Sequence, residues 1–199
     1  GQVPKYLNSP ETPIYSKGRT LYGLDVTKGA IKKHNYCVLV EGYFDLAQVW
    51  QAGVQPVVAS SGTALTVTQG RLLKRFAQKI VLSFDPDAAG QGAAARSSEL
   101  LVAEGFQVNV ALLPQGSDPD TFIRNDGGRA YIERLKSSRS YLEFLLDRAA
   151  ERVDLNRPDG RRAFIGQMLT VAATIPDAAA RDQFADRLAH KARITESVV

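Results

Sequence analysis

The chain is 199 residues long, with 44% hydrophobic residues, one cysteine and a formal net charge of +4. This length suits one α/β domain of ordinary size plus a smaller appendage. The sequence has no apolar run long enough to cross a bilayer and no apolar signal segment at its start, so we expect a cytoplasmic protein with no membrane partner. The single Cys37 excludes an intramolecular disulfide and a cysteine-based zinc site, and its place in a predicted strand indicates a buried thiol.

The positive charge is concentrated in residues 1–35, which hold six Lys or Arg against two acidic residues. The rest of the chain is balanced. This lead-in segment is rich in Pro, Gly, Ser and Thr, which predicts loops with one short strand near residues 20–24. Its charge suits a polyphosphate or a nucleic-acid backbone, although a solvated lysine-rich surface is the simpler explanation of charge alone.

From Tyr36 onward, strands and helices alternate. Short β-branched or apolar runs predict strands, and helical periodicity lies between them, with Gly53 and Gly105 as helix ends. The predicted strands are 36–40, 55–59, 79–84 and 107–113, and the predicted helices between them are 45–52, 66–76 and 88–104. Such spacing implies right-handed crossovers and a parallel sheet.

After Asp120 the strand signal disappears and helical patterns take over. Ser140 and Glu143 have the spacing of a capping box, which predicts a helix from there to about Arg152. Pro158 suits the first turn of a further helix, and Pro176 separates that helix from the next. We therefore predict a helical subdomain after the α/β unit.

Acidic residues follow three of the four predicted strands. They are Glu41 and Asp45, Asp85 and Asp87, and Asp118 and Asp120. Ligands of open α/β folds bind beyond the carboxyl ends of the strands. Carboxylates gathered there repel one another, and Mg²⁺, which prefers oxygen ligands, relieves that repulsion. The pattern therefore indicates metal-dependent phosphate chemistry.

Each acidic residue also has a simpler structural explanation. Glu41 alone is typical of a solvated strand end, and Asp45, Asp87 or Asp120 would serve as a helix N-cap. Capping does not explain both carboxylates of Asp85-Pro86-Asp87, which point to the same side of an extended backbone. Together with Glu41 they favour a metal site assembled across adjacent strand ends. The sequence has no P-loop motif, and its two histidines, His34 and His190, are interpreted as surface residues.

These motifs resemble a known family. Residues 40–45 (Val-Glu-Gly-Tyr-Phe-Asp) and 84–90 (Phe-Asp-Pro-Asp-Ala-Ala-Gly) are similar to the toprim domain shared by topoisomerases and primases. Residues 4–12 and 17–24 resemble the segment ahead of toprim in bacterial DNA primases, and residues 113–121 resemble that family's later acidic pair. The resemblance covers roughly residues 3–150, with the five blocks in family order.

The resemblance implies a toprim fold of class α/β, with a four-stranded, mainly parallel sheet flanked by helices and a C-terminal helical bundle. The expected domains are three. Residues 1–35 would end the N-terminal half of a polymerase core, residues 36–127 would form the toprim metal-binding domain, and residues 128–199 would form the helical subdomain.

The implied activity is that of a DNA primase, a DNA-directed RNA polymerase that makes short RNA primers for replication. Its partners would be a single-stranded DNA template and ribonucleoside triphosphates, with more than one Mg²⁺ or Mn²⁺ ion and no zinc in this chain. The expected catalytic residues are Glu41, Asp85 and Asp87, with Glu41 either a metal ligand or an acid/base. Further expected metal ligands are Asp45, Asp118 and Asp120, and the expected nucleotide or nucleic-acid contacts are Lys5, Asn8, Lys17 and Arg19.

Three alternatives remain open at this stage. A toprim nuclease or topoisomerase fragment would use the same carboxylates, but no motif indicates a nucleophilic tyrosine. A haloacid dehalogenase phosphatase needs Thr or Val where Ala89 stands. A non-catalytic metal- or DNA-binding module is also compatible. We expect a truncated fragment that binds metal and nucleotide but primes weakly or not at all, and that lacks the domain contacting the replicative helicase.

Overall fold

A mixed five-stranded sheet forms the centre of the computed structural model, which describes residues 10–61 and 64–192. The strands are β1 (Tyr36–Val40), β2 (Val57–Ala59), β3 (Lys79–Leu82), β4 (Gln107–Val110) and β5 (Arg139–Ser140), in the spatial order β2-β1-β3-β4-β5. The first four are parallel, and β5 pairs antiparallel with β4. The mainly parallel α/β sheet is confirmed, and the expected number of four strands was wrong. Two residues are too few to give β5 an alternating pattern in the sequence.

Eight α-helices surround the sheet in the described part of the chain. They are α1 (Leu24–His34), α2 (Tyr43–Gln51), α3 (Val67–Lys74), α4 (Ala88–Ala103), α5 (Pro119–Lys136), α6 (Tyr141–Glu151), α7 (Pro158–Ala173) and α8 (Ala178–Ala192), preceded by a short 3-10 helix at Lys17–Arg19. None of them is both long and apolar enough to cross a membrane. Gly53 and Gly105 adopt positive φ just after α2 and α4, as expected of helix ends.

The lead-in segment differs from its predicted loop structure. Residues 24–34 form α1, whose buried positions are Leu24, Thr27 and Ile31. A threonine in the buried stripe and the internal Gly29 weaken the apolar periodicity that would identify this helix. The short strand predicted near residues 20–24 is reduced to one bridge between Tyr22 and Ala59.

Alternation along the strands divides the core into two clusters. Cys37 and Leu39 face one cluster, whereas Val38 and Val40 face the other. The second cluster is completed by α2 and α5 through residues such as Val49 and Tyr131. The first includes residues of α1, α3 and α4 and also of the helices α6–α8, through Leu146, Phe164 and Leu188 respectively. Helices α6–α8 therefore share a core with the sheet. Cys37 is fully buried, as predicted.

Register brings the carboxyl ends of β1, β2 and β3 to the same level. Leu39 lies opposite both Val58 and Leu82, and Leu82 lies opposite Val110. Beyond the strands, Ser83 N donates to Leu39 O at 3.0 Å and Ser61 N donates to Glu41 O at 2.9 Å. The loops that carry the acidic residues therefore leave the sheet side by side.

Two features of the C-terminal half differ from the sequence-based expectation. The expected capping box at Ser140 was wrong, since Ser140 lies in β5 and its side chain makes no capping hydrogen bond. Helix α5 was not predicted as one element: it spans Pro119–Lys136 with a kink at Gly127 (φ 87°, ψ 159°). The kink coincides with the expected domain boundary at 127/128, yet Tyr131 beyond it packs in the core of the sheet.

A buried hydrogen bond fastens the second half of α5 to the sheet. Tyr131 Oη donates to Ser83 Oγ at 2.9 Å, and both residues are fully buried. We expect Tyr131→Phe to lower the free energy of unfolding by about 1–3 kcal/mol, because it leaves the Ser83 hydroxyl without this partner. Urea unfolding measures the change. The double variant Tyr131→Phe/Ser83→Ala should recover most of the loss, and simple additivity of the two changes would contradict the coupling.

Candidate functional site

Six carboxylates lie beyond the carboxyl ends of β1, β3 and β4, and we call them the acidic edge. They are Glu41, Asp45, Asp85, Asp87, Asp118 and Asp120. Each belongs to a loop or to the first turn of the helix that follows its strand. The carboxylates predicted as a group are thus carried to one edge of the sheet, where parallel α/β folds bind their ligands.

Glu41 joins the end of β1 to the loop after β3. Its Oε1 accepts a hydrogen bond from Asp85 N at 3.2 Å. Partial burial raises the pKa of the Glu41 carboxyl, and the negative charges of Asp85 and Asp87 raise it further, while the hydrogen bond from Asp85 N opposes the shift. The Glu41 carboxyl at the end of β1 therefore lies within the electrostatic influence of two carboxylates in the loop after β3.

Asp45 is the most deeply buried of these carboxylates, with 8% of its surface exposed. Its Oδ2 accepts from Gly42 N at 3.1 Å, and its Oδ1 accepts from Asp120 N at 3.2 Å. Burial raises the pKa of Asp45 to about 6, the charges of Asp118 and Asp85 add to the rise, and the two backbone hydrogen bonds oppose it. Both oxygens already accept backbone hydrogen bonds, so the geometry favours a structural role for this residue. The expected N-cap position was wrong, because Gly42 is the N-cap of α2 and Asp45 is the third residue of the helix. It ties the start of α2 to the start of α5.

Asp87 and Asp118 are N-caps of α4 and α5. Gly90 N donates to Asp87 Oδ1 at 2.7 Å, and Thr121 N donates to Asp118 Oδ1 at 2.7 Å. Each of these bonds uses the Oδ1 atom of its carboxylate, which leaves Oδ2 for other ligands. The helix N-terminus also favours a negative charge at these positions. Capping and ligand binding are therefore compatible here.

Gly90 allows a close contact between α4 and the loop before it. A Cβ atom at this position would lie 2.2 Å from Asp85 O and 2.9 Å from the Asp85 carbonyl carbon. Only glycine therefore lets the first turn of α4 approach the Asp85-Pro86-Asp87 loop this closely. The contact fixes the loop against the helix.

The donor chemistry of the acidic edge fits a hard divalent cation. Within the described residues, the carboxylates of Glu41, Asp45, Asp87 and Asp118 have no Lys or Arg nitrogen within 4.0 Å, whereas Asp120 pairs with Arg124 at 2.9 Å. Oxygen donors under mutual repulsion suit Mg²⁺ or Mn²⁺. The expected ligands are brought to one edge but not into a single cluster: residues 10–61 and 64–192 contain no group of three or more acidic, His or Cys side chains arranged to hold a metal.

The expected basic residues lie beside this edge only in part. Lys17 and Arg19 occupy the 3-10 helix, and the following residues lie against the end of β2, where Tyr22 N donates to Ala59 O at 3.0 Å. The Tyr22 ring meets the Tyr43 ring edge-on, with centroids 4.6 Å apart. Lys5 and Asn8 lie outside the described residues.

Two polar residues at this site, Thr66 and Gln69, were missed as functional candidates. They form a capping box at the start of α3, with Thr66 N donating to Gln69 Oε1 at 3.0 Å and Gln69 N donating to Thr66 Oγ1 at 3.1 Å. The Thr-x-x-Gln spacing identifies such a box in a sequence. They also contact Lys17, Gly18 and Thr20, which lie about 50 residues earlier in the chain. Local sequence patterns do not predict such long-range contacts.

Family comparisons cover nearly the whole chain. Residues 38–123 match a family described as Toprim-like, and residues 1–28 match the N-terminal domain of the DNA primase catalytic core. Residues 142–197 match the DnaB-helicase binding domain of primase. This last match differs from our expectation that the helicase-contacting domain is absent from the chain.

Relatives and solved structures agree with these matches. The chain is 37% identical to a DNA primase of Clostridium acetobutylicum over 98% of its length and 36% identical to that of Escherichia coli K12 over 98%. It spans 33% and 34% of those two proteins. A solved DnaG primase catalytic domain bound to ssDNA is 34% identical and superposes with a TM-score of 0.90, over 98% of this chain and 63% of that one.

The buried Asp45 carboxyl should make stability depend on pH. Its folded pKa of about 6 exceeds that of an unfolded aspartate, about 3.9, so the native state binds more protons between these values. The stability that the protonated form contributes is complete below about pH 4 and is lost as the pH rises through 6.

We therefore expect wild-type protein to lose on the order of 3 kcal/mol relative to Asp45→Asn between pH 4 and pH 7. Urea unfolding of both proteins in EDTA across this range measures the difference. The substitution also removes one acceptor oxygen, which changes the free energy of unfolding by an amount that does not depend on pH. The test therefore uses only the change with pH of the free-energy difference between the two proteins. A difference that does not change with pH would contradict the burial of this charge.

Proposed function

The chain belongs to the bacterial DNA primase family, and on that premise we propose that it is the toprim-containing part of a DNA-directed RNA polymerase that makes RNA primers on single-stranded DNA. The observation that carries the proposal is the hydrogen bond from Asp85 N to Glu41 Oε1, which unites the two toprim motifs at one sheet edge. The chain spans about one third of its curated relatives, so the activity is proposed for the protein as a whole.

We assign Glu41, Asp85 and Asp87 to a centre for Mg²⁺ or Mn²⁺, with Asp118 and Asp120 holding a further ion or its water ligands. The support is the oxygen donor set and the effect of the Asp85 and Asp87 charges on the Glu41 carboxyl, whose pKa they raise. When bound, such ions stabilise the charge on the attacking and leaving oxygens of a phosphoryl transfer. Asp45 keeps the loops of β1 and β4 together through its two backbone acceptor bonds.

The reaction joins a ribose 3′-hydroxyl to the α-phosphate of an incoming ribonucleoside triphosphate and releases pyrophosphate. The residues of this chain hold the acidic edge in place and orient the phosphates. Glu41 has two possible roles, metal ligand or acceptor of the 3′-hydroxyl proton. Glu41→Gln separates them, because an amide retains one oxygen ligand but does not take the proton.

The proposed partners follow from the same family relationship. Lys17 and Arg19 would contact phosphates of the triphosphate or of the single-stranded template. The surface of α6–α8 would contact a replicative helicase, since residues 142–197 match the helicase-binding domain of primases. A solved relative is bound to single-stranded DNA, which supports DNA as a partner.

Metal binding should be visible as added stability. A ligand that binds only the native state raises apparent stability by mass action. We expect Mn²⁺ to raise the melting temperature of the wild-type chain and to have little effect on Asp85→Asn/Asp87→Asn. Differential scanning fluorimetry with and without Mn²⁺ measures this.

The matched control is Asp182→Asn/Asp186→Asn, which removes two exposed carboxylates of α8. This control should keep the full Mn²⁺ response. An undiminished response in the Asp85/Asp87 variant would rule out these residues as ligands.

Priming itself is tested in a protein extended to the length of the curated relatives. We expect template-dependent incorporation of labelled ribonucleotides, lost in Asp85→Ala, and very weak or no synthesis by residues 1–199 alone. Holding template, primer end and triphosphate together supplies about 7–11 kcal/mol of barrier reduction, which a metal centre alone does not provide. Robust templated priming by residues 1–199 would show that this chain holds the template without further segments.

A further inference from the structure

The 3-10 helix Lys17–Arg19 and the following Thr20, which we call the basic turn, are fastened to α3 by one buried amide. Gln69 is fully buried. Its Nε2 donates to Lys17 O at 2.9 Å and to Thr20 O at 2.7 Å. Its Oε1 accepts from Thr66 N at 3.0 Å. Both amide hydrogens and the amide oxygen of Gln69 are therefore used.

Two further side chains complete the attachment. Thr66 Oγ1 donates to Gly18 O at 2.5 Å, so Thr66 and Gln69 together bind three backbone carbonyls of the basic turn, those of Lys17, Gly18 and Thr20. From the other side, Glu11 Oε1 accepts from Lys17 N at 2.9 Å. These bonds hold the backbone of the basic turn from both ends.

These hydrogen bonds stabilise a turn that has little stability of its own. A three-residue 3-10 helix has few internal hydrogen bonds and little stability of its own. Burying the amide of Gln69 would cost free energy if its donors and acceptor were unsatisfied, so the amide and the turn stabilise each other. The turn is thereby kept in one conformation.

The attached turn lies next to the acidic edge. Its continuation pairs with the end of β2 through Tyr22 and Ala59, and Tyr22 packs against Tyr43, two residues after Glu41. Lys17 is half-buried and Arg19 is exposed, so their side chains leave a fixed backbone beside a carboxylate-lined edge. Because their backbone is already fixed, the charged side chains of Lys17 and Arg19 lose less conformational freedom when they bind an anion.

We propose that Gln69, assisted by Thr66, is a positioning residue that holds Lys17 and Arg19 for binding phosphate groups beside the acidic edge. The proposal rests on the proposed function, in which the acidic edge holds the metal and the basic turn holds phosphate. Gln69 touches neither ligand, and it acts through the backbone of the basic turn. The phosphate belongs to a ribonucleoside triphosphate or to single-stranded DNA, and both probes are used in the test.

The first measurement requires no ligand. Trypsin cleaves after Lys17 and Arg19, and it needs a locally mobile backbone. We expect Gln69→Leu and Thr66→Val to speed cleavage at these two bonds by at least about tenfold, which corresponds to losing roughly 1.4 kcal/mol of local stability. Thr66→Ser keeps the hydroxyl and should cleave like wild type.

A matched control separates local release from general loss of stability. Asp177 accepts from Ala180 N at 2.8 Å at the start of α8, far along the chain from the basic turn. Asp177→Ala removes a helix cap of similar kind and should leave cleavage at Lys17 and Arg19 unchanged. All variants are compared below their melting temperatures.

The second measurement is binding of ATP and of a 12-nucleotide oligo-dT at several salt concentrations. We expect Gln69→Leu to weaken binding of at least one probe by about tenfold and, for oligo-dT, to reduce the log–log salt slope by about 0.7 for each lost phosphate contact. The Mn²⁺-induced rise in melting temperature should persist. Which probe weakens identifies the source of the phosphate.

Lys17→Ala/Arg19→Ala distinguishes failure of this proposal from failure of the proposed function. Unchanged cleavage in Gln69→Leu would overturn the attachment. Faster cleavage with unchanged binding in Gln69→Leu would overturn the positioning role. If binding nevertheless falls in Lys17→Ala/Arg19→Ala, the proposed function still stands. If that double variant also binds both probes normally, the basic turn is not a phosphate site and both assignments fail.

Discussion

The whole site depends on backbone N–H groups that hold carboxylates at one edge of a sheet. Glu41, Asp45, Asp87 and Asp118 each accept at least one such hydrogen bond. Three of these bonds come from N–H groups at the N-terminal ends of α2, α4 and α5, where N–H groups need acceptors and the helix dipole favours negative charge. The same bonds therefore start the helices and fix the carboxylates in place.

The alternation of strand and helix and the position of the acidic motifs could be predicted because both are local. Strand runs such as Tyr36–Val40 and the Asp85-Pro86-Asp87 motif carry their signal within a few residues. Helix α1 was hidden by a threonine and a glycine, and β5 by its length of two residues. The contacts of Gln69 with the basic turn could not be predicted, since long-range pairing depends on the assembled fold.

The C-terminal helices are attached to the sheet mainly through apolar contacts. Phe164, Met168 and Leu188 share one buried cluster with Leu39 and Leu82 of the sheet. Ion pairs also join α8 to α6: Arg187 pairs with Glu143, and Lys191 pairs with Asp147 at 2.5 Å. These pairs are partly exposed, and such pairs contribute little free energy compared with buried apolar surface. A helical region matching a helicase-binding domain is thus continuous with the core behind the acidic edge.

Cys37 gives this chain a practical advantage for spectroscopy. It is the only cysteine in the sequence, it is fully buried in β1, and burial raises its pKa, so little reactive thiolate is present in the native state. A cysteine introduced on the surface would therefore carry a maleimide dye without the native thiol having to be replaced. Distances between fluorophores on the basic turn and on α8 then become measurable in a chain whose sheet core is unaltered.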